Sequence, residues 1–182
     1  MKFIFVFLLL IFSITFLQVQ VYGSHTGTEP SQPIIFDEDY TIEKFVTGLQ
    51  YPTAMDFSEN GIFVLEKNSG KIFHINLNDD KNIKLVLDLA VASFSGSGLL
   101  GITVVEEKYV YLFFSQSEYD KWGLDENTRD VVYRYMWNGN ELVNPILIKS
   151  FDGYHTRHHS GVMTADIANN VYVFKGDGDS KS

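Results

Sequence analysis

Cysteine is absent from all 182 residues. That excludes disulfides, thiolate metal sites, a cysteine nucleophile and a lipid-modified N-terminal cysteine. It does not fix the compartment. Basic residues are also scarce: 14 Lys and Arg stand against 23 Asp and Glu, for a formal net charge of -9. Nucleic acid and anionic membrane surfaces are recognised through basic patches, so neither is expected as a partner. Small neutral ligands or cations fit such a surface better. No GxGxxG, phosphate loop, serine-nucleophile elbow or HExxH occurs, which removes the commonest nucleotide, hydrolase and zinc-protease chemistries. From Tyr40 onward helical periodicity is nearly missing as well.

Apolar residues are plentiful, at 45% overall and 15% aromatic, enough to bury a core in one globular domain. The single long apolar run is Phe3 to Leu17, broken only by Ser13 and Thr15. It follows Met1-Lys2 and leads to Val21-Tyr22-Gly23. One positive charge, a short apolar core and small residues at a cut define a secretory signal, residues 1–23, with cleavage after Gly23. A secreted or cell-envelope, periplasm-like location follows. The competing reading is an uncleaved N-terminal membrane anchor, in which Gln18 to Tyr22 lengthen the apolar helix. Residues 24–39, with Pro30 and Pro33, read as a flexible lead-in.

Beyond it, short apolar alternations are separated by turn residues. Tyr40 to Val46 alternates weakly. Thr53 to Phe57, Ile62 to Glu66, Lys71 to Leu77 and Ile83 to Leu89 are divided by Glu59-Asn60-Gly61, Asn68-Ser69-Gly70 and Asn78-Asp79-Asp80. Such turns supply the positive φ of tight hairpins and predict a four-stranded meander. A second set follows: Leu99 to Val105, Tyr109 to Gln116, Asp130 to Trp137 and Glu141 to Phe151, with Asn138-Gly139 between the last two. The loop Ser117 to Arg129 interrupts it. Gly161 to Ile167 and Val171 to Lys175, turned at Asn169-Asn170, begin a third. GIFVLEK, KYVYLFF and NVYVFKG occupy the same place in each set.

Serial four-stranded units at this spacing predict an all-β fold, a β-propeller, over residues 40–182. A sandwich shares the strand rhythm but lacks the matched position from unit to unit. Propellers close with about four to eight blades, which removes open sheet edges. About two and a half are encoded here, so the chain is expected to be either a fragment of a longer protein or a prematurely ended reading frame, with Tyr40 to Val46 as a strand for the last blade of the ring.

Four features bear on chemistry. Gly98-Leu99-Leu100-Gly101, after Phe94-Ser95-Gly96-Ser97, turns the backbone into an inner strand or is a plain inter-blade turn. His155-Thr156-Arg157-His158-His159-Ser160-Gly161 offers a general base near neutral pH, or a surface loop without chemistry. No carboxylate stands close enough in sequence to favour zinc. Gly176-Asp177-Gly178-Asp179 matches no full calcium loop and reads first as a turn. Tyr109, Tyr111, Phe113, Phe114, Tyr133, Tyr135 and Trp137, on alternating strands, read as core between blades.

The ordered series Gly48-Leu49-Gln50-Tyr51-Pro52-Thr53-Ala54-Met55, GIFVLEKNSGKIFHI, VLDL, GLLGITV, VYLFFSQ, VVYRYMWNGNEL and HHSGVM…NNVYVFKGDGD resembles the soluble quinoprotein glucose/sorbosone dehydrogenases. The resemblance implies a six-bladed propeller that binds pyrroloquinoline quinone (PQQ) on its axis, usually with calcium. It implies oxidation of aldose sugars or sorbosone-like substrates outside the cytoplasm, with an electron acceptor as second partner. By the same resemblance His158, three residues before Gly161, is the general base for the anomeric hydroxyl, and His159 is structural. Three positions depart from the family pattern: Gly96 replaces a glutamine, Arg157 a frequent aspartate, and Gly178 the glutamine of a GDQG-like turn. The basic residues that hold the cofactor, and the calcium ligands, come from later blades that are absent here. The alternative is a non-catalytic secreted propeller that serves as a binding or scaffold module.

Overall fold

A computed structural model describes residues 33–78, 81–117, 128–151 and 159–177. The signal segment of residues 1–23 and His158 lie outside them. The chain divides into two compact units, Met1–Glu43 and Lys44–Ser182. In the first, the described residues hold a short turn in which Asp37 accepts hydrogen bonds from the Tyr40 and Asp39 amides.

The second unit is built of antiparallel strands. Strands β1 (Pro52–Ser58), β2 (Gly61–Glu66), β3 (Lys71–Asn76) and β4 (Ile83–Asp88) form one four-stranded sheet in chain order. Strands β5 (Leu99–Val105), β6 (Tyr109–Gln116), β7 (Arg129–Trp137) and β8 (Leu142–Phe151) form the second. Strands β9 (Val162–Ala165) and β10 (Val171–Phe174) pair as a hairpin that starts a third. GIFVLEK, KYVYLFF and NVYVFKG thus become β2, β6 and β10 with their flanking residues, which is the repeat a propeller requires. The fold is a partial β-propeller of four-stranded blades.

Period-two alternation sorts each strand between two interfaces. Phe63 and Leu65 of β2 join Leu99, Val110, Leu112, Phe114 and Val131 in the main core between the first two sheets. Each fully buried side chain of this kind contributes about 1.5–3 kcal/mol. The opposite set on β2, Ile62 and Val64, packs with Ile75 against Val46 and Leu49. On the far side of the second sheet, Phe113 and Val132 meet Met163 of β9, with Val171 and Val173 of β10 packed on them. Phe113, Phe114 and Tyr135 are buried, and Tyr111, Tyr133 and Trp137 pack partly buried against these cores. Six of the seven aromatics are therefore core between blades, while the half-buried Tyr109 ring is covered by Lys108 and Arg134 instead. Edge strand β8 carries Pro145 beside Asn144 at φ 54, where the register to β7 slips. Proline is tolerated on an edge because it has no N–H to give a ladder.

Two local expectations are corrected. Residues 40–46 form no strand; a strand needs a ladder partner, and the first paired residue is Pro52. Val46 and Leu49 instead lie on the open face of the first sheet. The turn at Asn60-Gly61 uses no positive φ, whereas Gly70 (φ 71), Gly139 (φ 88) and Asn169 (φ 66) do. Gly61 is needed for space: a Cβ there would stand 2.4 Å from the His74 ring.

Candidate functional site

The inner strands β1, β5 and β9 neighbour one another, with β5 in the middle. Thr53 Oγ1 of β1 donates to the Leu99 carbonyl at 2.9 Å. Between β5 and β9 the backbones touch so closely that a Cβ on Gly101 would collide with the Gly161 carbonyl. Both residues must be glycine for β9 to sit there.

The turn before β5 is held by Lys67. Its carbonyl accepts from the Leu99 amide at 2.9 Å, and its ammonium donates to the Ser95 carbonyl at 2.8 Å. Burial lowers the Lys67 pKa. Gly98 has φ 139, and a Cβ there would stand 2.6 Å from the Lys67 carbonyl oxygen. Gly98-Leu99-Leu100-Gly101 is thus at once a sharp inter-blade turn and the entry to an inner strand.

At this same end three polar side chains meet beneath β9. Ser115 closes β6, Asp130 opens β7, and His159 precedes β9. Ser115 Oγ donates to Asp130 Oδ1 at 2.8 Å. His159 Nδ1 lies 3.2 Å from Asp130 Oδ1 and 3.1 Å from Oδ2. The side chains of His159 and Asp130 are 4% and 5% exposed, so both polar groups have left water and depend on each other. Alternation explains the placement. Ser115 lies on the β6 face of Tyr111 and Phe113, and Asp130 on the β7 face of Val132, which is the face covered by the third sheet. The Asp130 carboxyl oxygens are acceptors for an Nδ1 hydrogen, so the pair fixes the plane of the His159 ring. This is how an imidazole is oriented for proton transfer.

The other expected residues divide as follows. His155, Arg157, His158, Gly178 and Asp179 lie outside the described residues. Asp177 follows β10, one residue beyond Gly176, at the end of the sheets where β9 begins. Among the described residues no group of three or more His, Cys, Asp or Glu is placed to hold a metal ion. Asp130 and Ser115 escaped the sequence reading. The signal for them is a polar residue at the apolar phase of an alternating strand, in Asp130-Val131-Val132 and in Phe113-Phe114-Ser115.

No protein-family model matches the chain, and no curated protein matches it by sequence. Solved structures do. A Thermus thermophilus oxidoreductase described as a glucose dehydrogenase is 24% identical with a TM-score of 0.62, over 74% of this chain and 39% of that one. The PQQ-bound aldose sugar dehydrogenase of Streptomyces coelicolor is 19% identical with a TM-score of 0.57, over 74% and 40%. The soluble aldose sugar dehydrogenase of Escherichia coli, in its apo form, is 15% identical with a TM-score of 0.55, over 72% and 39%. The chain therefore spans about two-fifths of the length of the structures it matches. Its fold is that of part of the propeller of the soluble glucose and aldose sugar dehydrogenases.

Proposed function

We propose that this chain is the first part of an exported, PQQ-dependent sugar dehydrogenase, acting on aldoses or sorbosone-like substrates and inactive as 182 residues alone. The observation that carries the reading is the buried Ser115–Asp130–His159 set at the mouth of the inner strands. His159 is the sequence neighbour of His158, and the fold is shared with dehydrogenases of this type. His158 is the general base and takes the proton of the anomeric hydroxyl, while His159 and Asp130 act as positioning residues. PQQ, when bound, supplies the two-electron acceptor for the sugar.

The described residues fit that group only in part. At this end they offer the His159 imidazole held by Asp130, and among the described residues no cluster able to hold calcium. Calcium ligands and the remaining cations belong to further blades in this reading. Export rests on the residue 1–23 signal. The described residues contain no helix long and apolar enough to cross a membrane.

The reading is tested by joining this chain to the further blades of a matching dehydrogenase, adding PQQ and calcium, and following dye reduction with several aldoses. Reduction that is lost in His158→Ala supports it. Bound PQQ without reduction by any sugar removes the dehydrogenase assignment and leaves the scaffold reading, which the departures at Gly96 and Arg157 favour.

A further inference from the structure

The interface between the first two sheets opens, at the end away from His159, into a cavity of about 400 Å³. Asp130 is the second residue of β7 and Trp137 its last, so the two ends stand about 23 Å apart at the usual strand rise. The volume falls within the roughly 300–1,000 Å³ of small-molecule sites. The geometry points to a binding site for a neutral, hydroxyl-rich ligand, a single sugar ring or cyclic polyol, seated against Trp137.

His74 and Trp137 line the floor, and the fully buried Phe63 backs them. His74 lies 4.8 Å from Phe63 and 4.9 Å from Trp137, centroid to centroid, and Trp137 meets Phe63 edge-on at 5.1 Å. His74 Nε2 is 3.1 Å from Ser58 Oγ. Burial lowers the His74 pKa, which favours the neutral imidazole, and with Nε2 engaged by Ser58 its Nδ1 is the remaining polar atom of the ring. The bare Cα of Gly61 makes room for it.

The wall is rich in amides: Asn60, Asn76, Asn78 and Asn82 all line it. Each carboxamide offers donors and an acceptor in one plane. Two of them are oriented by the protein itself. Asn60 Oδ1 accepts from Asn78 Nδ2 at 3.2 Å, and Asn76 Oδ1 accepts from the Asn78 amide at 2.8 Å. Among the described residues these bonds use the Oδ1 atoms of Asn60 and Asn76, which leaves their side-chain nitrogens as donors in a cavity that Trp137 also lines. The alternatives fit less well. Of the charged lining groups, Lys84 is bonded to Asn140, and Glu107 accepts from the Glu59 amide. Lys84 is the single lining cation, too few to pair on a phosphate, and among the described residues the lining carboxylates Glu59 and Glu107 belong to no group of three able to hold a metal ion. A hydroxyl-rich ring, polar at its rim and apolar on its C–H face, matches both surfaces. The inference does not rest on the dehydrogenase reading.

The test uses the 182-residue chain with Trp122→Phe, which leaves Trp137 as its sole indole. Titration with D-glucose, D-galactose and myo-inositol is followed by Trp137 emission, with calcium and inorganic phosphate as separate probes. We expect a saturable emission change with at least one polyol, weakened about tenfold by Asn76→Leu and by Asn60→Leu as donors are lost. The milder Asn76→Asp, which keeps the Oδ1 acceptor, is expected to weaken it too, with the far-ultraviolet strand signal unchanged. No saturation with any polyol overturns the proposal. So does saturation indifferent to all three substitutions, or a response to calcium or phosphate alone.

Discussion

Asp130 and His159 are 29 residues apart in sequence yet share a hydrogen bond almost out of reach of water. Taking the carboxylate away leaves the His159 Nδ1 hydrogen facing an amide and Ser115 with a weaker acceptor. Asp130→Asn is expected to cost about 2 kcal/mol, the range for a hydrogen bond to a charged group, read from the urea midpoint at constant slope. It is also expected to move the ¹⁵N resonances of the His159 ring, which a purely structural loss elsewhere would leave in place. An unchanged midpoint with unchanged ring resonances would show that the pair does not hold this corner. At this scale the sequence was half legible. The histidine cluster announced itself by composition. Its carboxylate partner did not, because pairing across a sheet face depends on strand phase and on which sheet covers that face. Gly61 teaches the same lesson. It looks like a turn glycine, but its missing Cβ accommodates a ring from the neighbouring strand.

At the scale of elements, the β9–β10 hairpin depends on one exposed aspartate. Asp166 Oδ1 accepts from the Ala168 and Asn170 amides, and Oδ2 from Asn170 Nδ2 and the Tyr172 hydroxyl. Led by the Asn170 side-chain bond and then the Asn170 backbone bond, these lower the Asp166 pKa to about 2. Because the folded value lies below the unfolded one, the contribution is fully present above the ordinary carboxylate range and fades as pH falls toward 2. Amide protection of Val171 to Phe174 is expected to hold from neutral pH to about 4 and to fall between 4 and 2, relative to β6. Asp166→Ala is expected to show the low protection at every pH. A hairpin protected equally in both proteins would refute the dependence.

The ten strands themselves were legible from alternation and turn residues, and β5 and β6 match their expected bounds to the residue. Tyr40 to Val46 was not. Alternation states only that a segment suits a strand, while a ladder needs a partner. The Glu106-Glu107 turn, at φ 54 and 52, also lacked any glycine or asparagine to mark it.

At the scale of the whole unit, the two full sheets and the β9–β10 hairpin follow each other as blades. The repeat of one second-strand pattern was enough to read this and to set aside the sandwich. What lies beyond was not legible. Met55 and Phe57, each 59% exposed, keep an apolar sheet face open beside Ile62 and Val64, and the match covers only about two-fifths of the length of the solved structures. The account stands on β5 lying between β1 and β9, with Gly101 against Gly161. The absence of native cysteine allows a direct check. Leu100→Cys with Val162→Cys, treated with a short bifunctional maleimide at high dilution, is expected to link within one chain as readily as a control of Thr164→Cys with Tyr172→Cys, an exposed pair inside one sheet. A control that links while the Leu100–Val162 pair does not would contradict blades fanned about common inner strands.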